Sequence, residues 1–137
     1  MDASPSQFDL YLITYKLIEH KQSRSSFVPL LAEIAKEQHV TINPEAAKAR
    51  GIEDGDDVWV ESHNAVTGET RKLKTKARTT AAIRPDTVGM AHHFGLWTHP
   101  WSKDQGPTPN EILYTGEGYV TNTADQSFHV KVRVYKA

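Results

Sequence analysis

The hydrophobic pattern along this chain is one of short strands. From Phe8 to Ile18 the run FDLYLITYKLI is nearly continuously apolar and rich in β-branched and aromatic residues, which predicts a central strand buried on both faces. The closing run from Phe128 to Lys136 alternates Val130, Val132 and Val134 with Lys131, Arg133 and Tyr135, the period of a half-buried strand. Between them, Val58 to His63 and Thr70 to Arg78 form a hairpin pattern around Asn64-Ala65-Val66-Thr67-Gly68, and His39 to Ile42 and Thr87 to Ala91 are brief strands. Arg71, Lys72, Lys74, Lys76 and Arg78 along the second hairpin arm read as a solvated edge.

Two stretches have helical character. In Thr41 to Val60, Asn43 can cap a helix with its side-chain oxygen, Pro44 fits the first helical position and Glu45 favours the positive helix end. Ala46 to Arg50 are good helix formers, Gly51 can end the helix in the left-handed conformation, and Asp54-Gly55-Asp56 is a tight turn into the next strand. From Phe27 to Glu37, Ser26 as cap, an early Pro29, and Leu30, Leu31, Ile34 and Ala35 on one face predict a short amphipathic helix. About six short strands with two small helices make a mainly β chain and point to a closed β-barrel.

Two loops carry the polar chemistry. His20 to Ser26 gathers many donors at the end of the first strand, where ligands tend to sit. His93 to Asn110 holds Gly95, Pro100, Gly106, Pro107 and Pro109, too much punctuation for a regular element, while Phe94, Trp97 and Trp101 call for packing against something.

Length and charge add limits. The 137 residues suit one domain, with residues 1–7 as a disordered tail and 8–137 as the folded unit. Sixteen basic and seventeen acidic residues give no argument for nucleic acid or an anionic membrane as partner. The absence of cysteine removes disulfides, thiolate nucleophiles and Cys-type metal sites together. No apolar run approaches the roughly 18 to 20 residues of a membrane-spanning helix, and no signal-peptide pattern opens the chain, so it reads as soluble without direct membrane insertion.

Among the candidate reactive groups, His92, His93 and His99 stand near a strand end, but a metal needs three or four converging ligands, and the neighbours His92 and His93 on a strand point to opposite faces. Histidines that hydrogen-bond backbone or a ligand at a strand end are the better reading. No serine stands in a nucleophile elbow, and neither a P-loop nor a G-x-G-x-x-G fingerprint occurs. The residues alone designate no catalytic group and no metal ligand.

Taken in order, Leu12-Ile13-Thr14 followed by His20, Ile42-Asn43-Pro44-Glu45-Ala46-Ala47, Gly51-Ile52-Glu53-Asp54-Gly55-Asp56, the Arg84-Pro85 and Val88 step, His92-His93-Phe94-Gly95, Asn110 and the final Val132-Arg133-Val134-Tyr135-Lys136-Ala137 form a recognisable series. From about residue 10 to its end the chain resembles the C-terminal molybdopterin-dinucleotide-binding domain of the DMSO reductase family of molybdenum and tungsten oxidoreductases. The resemblance implies a double-psi β-barrel that closes over bis(molybdopterin guanine dinucleotide). It also implies, as partners, the remaining domains of a catalytic subunit, which carry the metal, its protein ligand and any Fe–S cluster. No residue of this chain need then be catalytic, and the isolated domain is expected to be inactive.

Carried over by position, the family's Gly-Arg after Leu-Ile-Thr falls on Tyr15 and Lys16, next to Thr14, and lysine keeps the charge but loses the bidentate fork. His20, Gln22, Ser23, Arg24 and Ser25 match the cofactor-facing loop. His92, His93, Phe94 and Gly95 match the segment that approaches the pterin, and Asn110 matches the asparagine of the N-x-L-T turn. Near the end the chain departs from the family, with Asn122-Thr123 and Phe128-His129 where members have Asp-Pro and later Tyr-Lys or Phe-Asn. The alternative is a double-psi binding or adaptor module without cofactor, which would not need His92-His93-Phe94-Gly95 followed by Asn110. An aspartate-decarboxylase-like enzyme is disfavoured because its self-cleaving Gly-Ser is missing.

Overall fold

A computed structural model describes residues 7–100, 102, 104–117 and 130–137, with the side chains of Gln22 and Ser23 left out. Residues 1–6 of the expected tail, Trp101, and the Asn122-Thr123 and Phe128-His129 positions lie outside the described residues. Strands β1 (Leu10–Tyr15), β2 (His39–Ile42), β3 (Asp57–His63), β4 (Thr70–Thr79), β5 (Thr87–Ala91) and β6 (Val130–Lys136) close into a barrel in the order β1-β5-β2-β4-β3-β6. Two pairs, β1 with β5 and β2 with β4, are parallel, and the other four are antiparallel. The closed, mainly β barrel expected from the sequence is therefore present, with a topology consistent with the double-psi arrangement.

Period-two alternation builds the core. Leu10 and Leu12, Val40 and Ile42, Val58 and Val60, Leu73 and Ala77, Val88 and Met90, and Val130, Val132 and Val134 all point inward and are buried. Here β1 differs from the expected two-sided burial, because Tyr11 and Ile13 are 49% and 46% exposed. A closed barrel has one inside, so the outward half of a continuous apolar run meets solvent; the Lys131 ammonium lies 5.2 Å from the Tyr11 ring and partly covers it. Likewise β4 is no edge, since it pairs on both sides, although its Lys72, Lys74, Lys76 and Arg78 are solvated as expected.

The helix α2 (Pro44–Ala49) starts where the sequence predicts. The Asn43 side-chain oxygen accepts from the Glu45 N–H at 2.9 Å, while its amide donates to the Ile83 carbonyl at 2.7 Å, which ties the cap to the connection before β5. Gly51 and Gly55 take φ of 65° and 86°, the left-handed values that turn the chain into β3. By contrast α1 (Pro29–Ile34) is shorter than the expected 27–37. It follows Val28 with no side-chain cap and buries none of its residues, so Ser26 is not its cap.

The long segment after β5 ends in a 3₁₀ turn, Pro109–Ile112, whose Thr108 and Glu111 form a capping box. Behind it Ser62 donates to the Ile112 carbonyl at 2.7 Å, and the Arg71 guanidinium donates to the Leu113 carbonyl at 2.6 Å while lying 4.6 Å from the Tyr114 ring. These bonds fix the far end of the loop to β3 and β4.

Asn43→Ala should destabilise the barrel by about 1 to 2 kcal/mol in urea unfolding, because it removes both the cap and the bond to Ile83. Asn43→Asp, which keeps the cap acceptor, should lose less; equal losses in the two variants would show that the cap contributes nothing.

Candidate functional site

Because β1 and β5 run parallel with Tyr15 opposite Ala91, the segments that leave them emerge side by side. The loop after Tyr15 and the loop after Ala91 are then stitched together. His92 donates its backbone N–H to the Tyr15 carbonyl at 3.3 Å, and the Leu17 N–H donates to His93 Nε2 at 2.9 Å. Past the end of β5 the two histidines do not point to opposite faces; their ring centroids are 4.7 Å apart.

His93 is fully buried, and burial, followed by His92, His20 and Lys16, lowers its pKa to about 4. Since Nε2 accepts from Leu17, the neutral ring carries its proton on Nδ1, and that buried N–H has no partner among the described residues. A buried donor left unpaired costs on the order of 1 to 3 kcal/mol. His92 is half-buried, and burial together with Lys16 holds it below the ordinary histidine value against a bond to the Tyr15 backbone.

The other expected residues separate into two kinds by their surroundings. Buried His20 donates from Nε2 to the Ala35 carbonyl at 3.0 Å, which leaves Nδ1 to accept from the Ser25 hydroxyl at 3.1 Å, and that hydroxyl accepts the Lys21 N–H at 2.7 Å. His20 therefore ties the 3₁₀ turn Gln22–Ser25 to the end of α1. Phe94, also buried, meets the His20 ring edge-on at 5.6 Å. Gly95 has φ 90°, and a Cβ there would stand 2.7 Å from Thr108 Cβ, so its close approach brings the residue before the Pro109–Ile112 turn against the segment that carries the histidines. Tyr15 spends its hydroxyl on Thr41 Oγ1 at 3.0 Å. Lys16, Arg24 and Asn110 are exposed and Thr14 is half-exposed. Neither Lys16 nor Arg24 forms an ion pair among the described residues.

Two glutamines complete this end of the barrel and were not singled out by sequence. Gln38 is buried and donates its side-chain amide to the Ala91 carbonyl, its N–H to the Gln105 carbonyl at 2.6 Å, and accepts from Thr75 Oγ1 at 3.0 Å. Gln105, buried in the long loop, donates to the Ser26 carbonyl at 2.6 Å, and its Oε1 has no partner among the described residues. The only sequence cue was Gly106, where a Cβ would meet Gln38 Cβ at 2.9 Å. Among the described residues no group of three or more His, Cys, Asp or Glu could hold a metal ion.

The arrangement thus presents two exposed cations and an exposed amide at one end of a barrel, above a buried histidine N–H and a buried glutamine carbonyl. Such a set suits an anionic ligand with polar ring edges.

The sequence profile of the family described as molydopterin dinucleotide binding domain matches residues 10–127. The thiosulfate reductase molybdopterin-containing subunit of Salmonella typhimurium is 37% identical over 87 residues, which are 64% of this chain and 11% of that protein. The alpha subunit of formate dehydrogenase 2 of Nitratidesulfovibrio vulgaris is 33% identical across 72% of this chain and 10% of its own length. The arsenate respiratory reductase molybdopterin-containing subunit of a Shewanella species is 26% identical across 96% of this chain and 16% of its own length. The chain thus spans 10–16% of the length of these relatives. Among solved structures, acetylene hydratase from Pelobacter acetylenicus shares the fold with a TM-score of 0.73 and 17% identity, over 97% of this chain and 19% of that one.

His93 also makes stability depend on pH. Its folded pKa of about 4 lies below the ordinary histidine value of 6.5, so the unfolded chain binds the proton first and stability falls on acidification through that window. The loss between pH 7 and 5 should be about 2 kcal/mol from this group. His39 and His92, also lowered, add in the same direction. His93→Gln, which keeps an acceptor for Leu17, should flatten the pH dependence of urea unfolding; an unchanged slope would contradict the assignment.

Proposed function

The chain belongs to the molydopterin dinucleotide binding domain family, and on that premise we propose that residues 8–137 act as the barrel domain of a larger molybdopterin oxidoreductase catalytic subunit. The observation that carries this reading is the parallel pairing of Tyr15 with Ala91, which joins the Lys16 to Ser25 and His92 to Asn110 segments at one end beside the unpaired His93 Nδ1–H. The cofactor is molybdopterin guanine dinucleotide, and when bound it supplies the redox chemistry.

The residues present fit that group. Lys16 and Arg24 are cations free to meet the pyrophosphate, with lysine as a point charge and arginine as a planar fork. Asn110 is an exposed amide that suits a ribose hydroxyl or a ring edge, and half-buried His92 packs on His93, which lies beneath the surface and holds the Leu17 N–H. Thr14, Tyr15, Gln22 and Ser23 border this end, while His20, Ser25, Phe94 and Gly95 hold the two segments in place. The protein's part is to bind, orient and exclude water; the metal and its ligand belong to the remaining domains. The cofactor-free adaptor alternative is not favoured, because it gives no reason for the match to a dinucleotide-binding family. The relatives act on different substrates according to their names, and this domain does not choose among them. Among the described residues no helix is long and apolar enough to cross a membrane.

In the full-length enzyme, Lys16→Ala and Arg24→Ala should each lower retained molybdenum and guanine nucleotide, on the order of tenfold in affinity for a lost charge-assisted contact, with the barrel still folded by circular dichroism. Normal cofactor content in both variants would overturn the proposal.

A further inference from the structure

The surface around the candidate site has a second feature, an apolar one. Nine large apolar side chains are exposed among the described residues, and six of them, Ile18, Phe27, Val28, Leu30, Ile34 and Trp97, lie in the two segments that leave β1 and β5. Ile18 is 97% exposed, Trp97 77%, Leu30 67% and Ile34 63%, high values for apolar side chains confined to these two segments.

The helix α1 sharpens the point. Its Leu30 and Ile34 stand four residues apart and share one face, yet none of its six residues is buried and no side chain caps it. So short a helix is not stable by propensity, and its apolar face does nothing for the barrel. The helix is nevertheless held firmly in place. His20 anchors the Ala35 carbonyl, Gln105 anchors that of Ser26, and the Phe27 ring stacks on His99 at 4.6 Å. Leu17 and Ile34 border one cleft whose other walls carry Glu19, Lys36, Asp54 and Arg78, so the stretch after β1 and the end of α1 meet at a charged cleft. An apolar face kept in a fixed position by buried polar bonds is a surface prepared for a partner.

We propose that this face, centred on Leu30 and Ile34 and flanked by Ile18 and Trp97, is the docking surface for the molybdenum-carrying remainder of the oxidoreductase. The proposal rests on the family reading above and adds where the contact is made. The occupant follows from size and position: the chain is only 10–16% of the length of its relatives, and the face adjoins the segments that would meet a cofactor shared with the other domains. The dinucleotide and the apolar seam would then be enclosed together, with water excluded from Lys16.

The chain has no cysteine, so thiol labelling can report on single positions. In the full-length holoenzyme, Leu30→Cys and Ile34→Cys should react with a maleimide on the order of tenfold or more slowly than Ala81→Cys, a reference in the exposed turn between β4 and β5, and at an equal rate in urea. Peptide mass spectrometry separates these sites from cysteines elsewhere. Labelling as fast as at Ala81 in enzyme that retains molybdenum and guanine nucleotide would overturn the docking proposal while leaving the cofactor reading intact. Protection that disappears on dilution would also overturn it, in favour of a second copy of the chain. Protection that persists on dilution in enzyme lacking the nucleotide would support the docking surface and count against the cofactor reading.

Discussion

The parallel pairing of β1 with β5 is the constraint on which the rest of this structure depends. With Tyr15 opposite Ala91, two segments separated by more than seventy residues of sequence leave the barrel side by side, and everything chemically distinctive is in them. A parallel pair cannot be closed by a tight turn. The intervening β2, α2, β3 and β4 are the crossover, and the local signals in them serve that path. The capped α2 and the Gly51 and Gly55 turns return the chain to β3 at the correct register.

The end of the barrel built this way buries several polar side chains and leaves several apolar ones exposed beside its cations. His20, Gln38, His93 and Gln105 are buried there and are bonded mostly to backbone carbonyls and amides. Bonds of this kind hold loops in one conformation better than apolar contacts do, because each has a required direction. Among the described residues two buried atoms, His93 Nδ1 and Gln105 Oε1, have no hydrogen-bond partner. Around them Leu30, Ile34 and Trp97 remain in water. Both departures make sense for a domain that completes a site together with other domains.

How much of this could be read in the sequence follows from how local each cause is. The β2, α2 and β5 elements were legible because caps, turns and short alternating runs act within a few residues, and Asn43 bonds Glu45 two positions away. The family was legible through motifs in fixed order. Burial was harder. The run from Phe8 to Ile18 is apolar at outward positions such as Tyr11 and Ile13, and only barrel closure tells which half faces in. The apolar side of α1 gave the right period for a helix but could not say that the barrel leaves this face exposed. His20 and His93 look alike in sequence, and what separates them is a carbonyl fifteen residues away for one and the Leu17 N–H for the other. Gln38 and Gln105 carried no signal of their own beyond the neighbouring Gly106, because a buried glutamine is defined by contacts that span the whole chain.

The central claim is that the two segments leaving β1 and β5 form one binding surface for the dinucleotide. Amide hydrogen exchange on the full-length enzyme, compared with and without its molybdopterin cofactor, tests this most directly. With cofactor bound, exchange should slow in residues 16–25 and 92–113 together, with little change in α2 and the turn between β4 and β5. Protection of one segment without the other, or protection centred on α2, would contradict it.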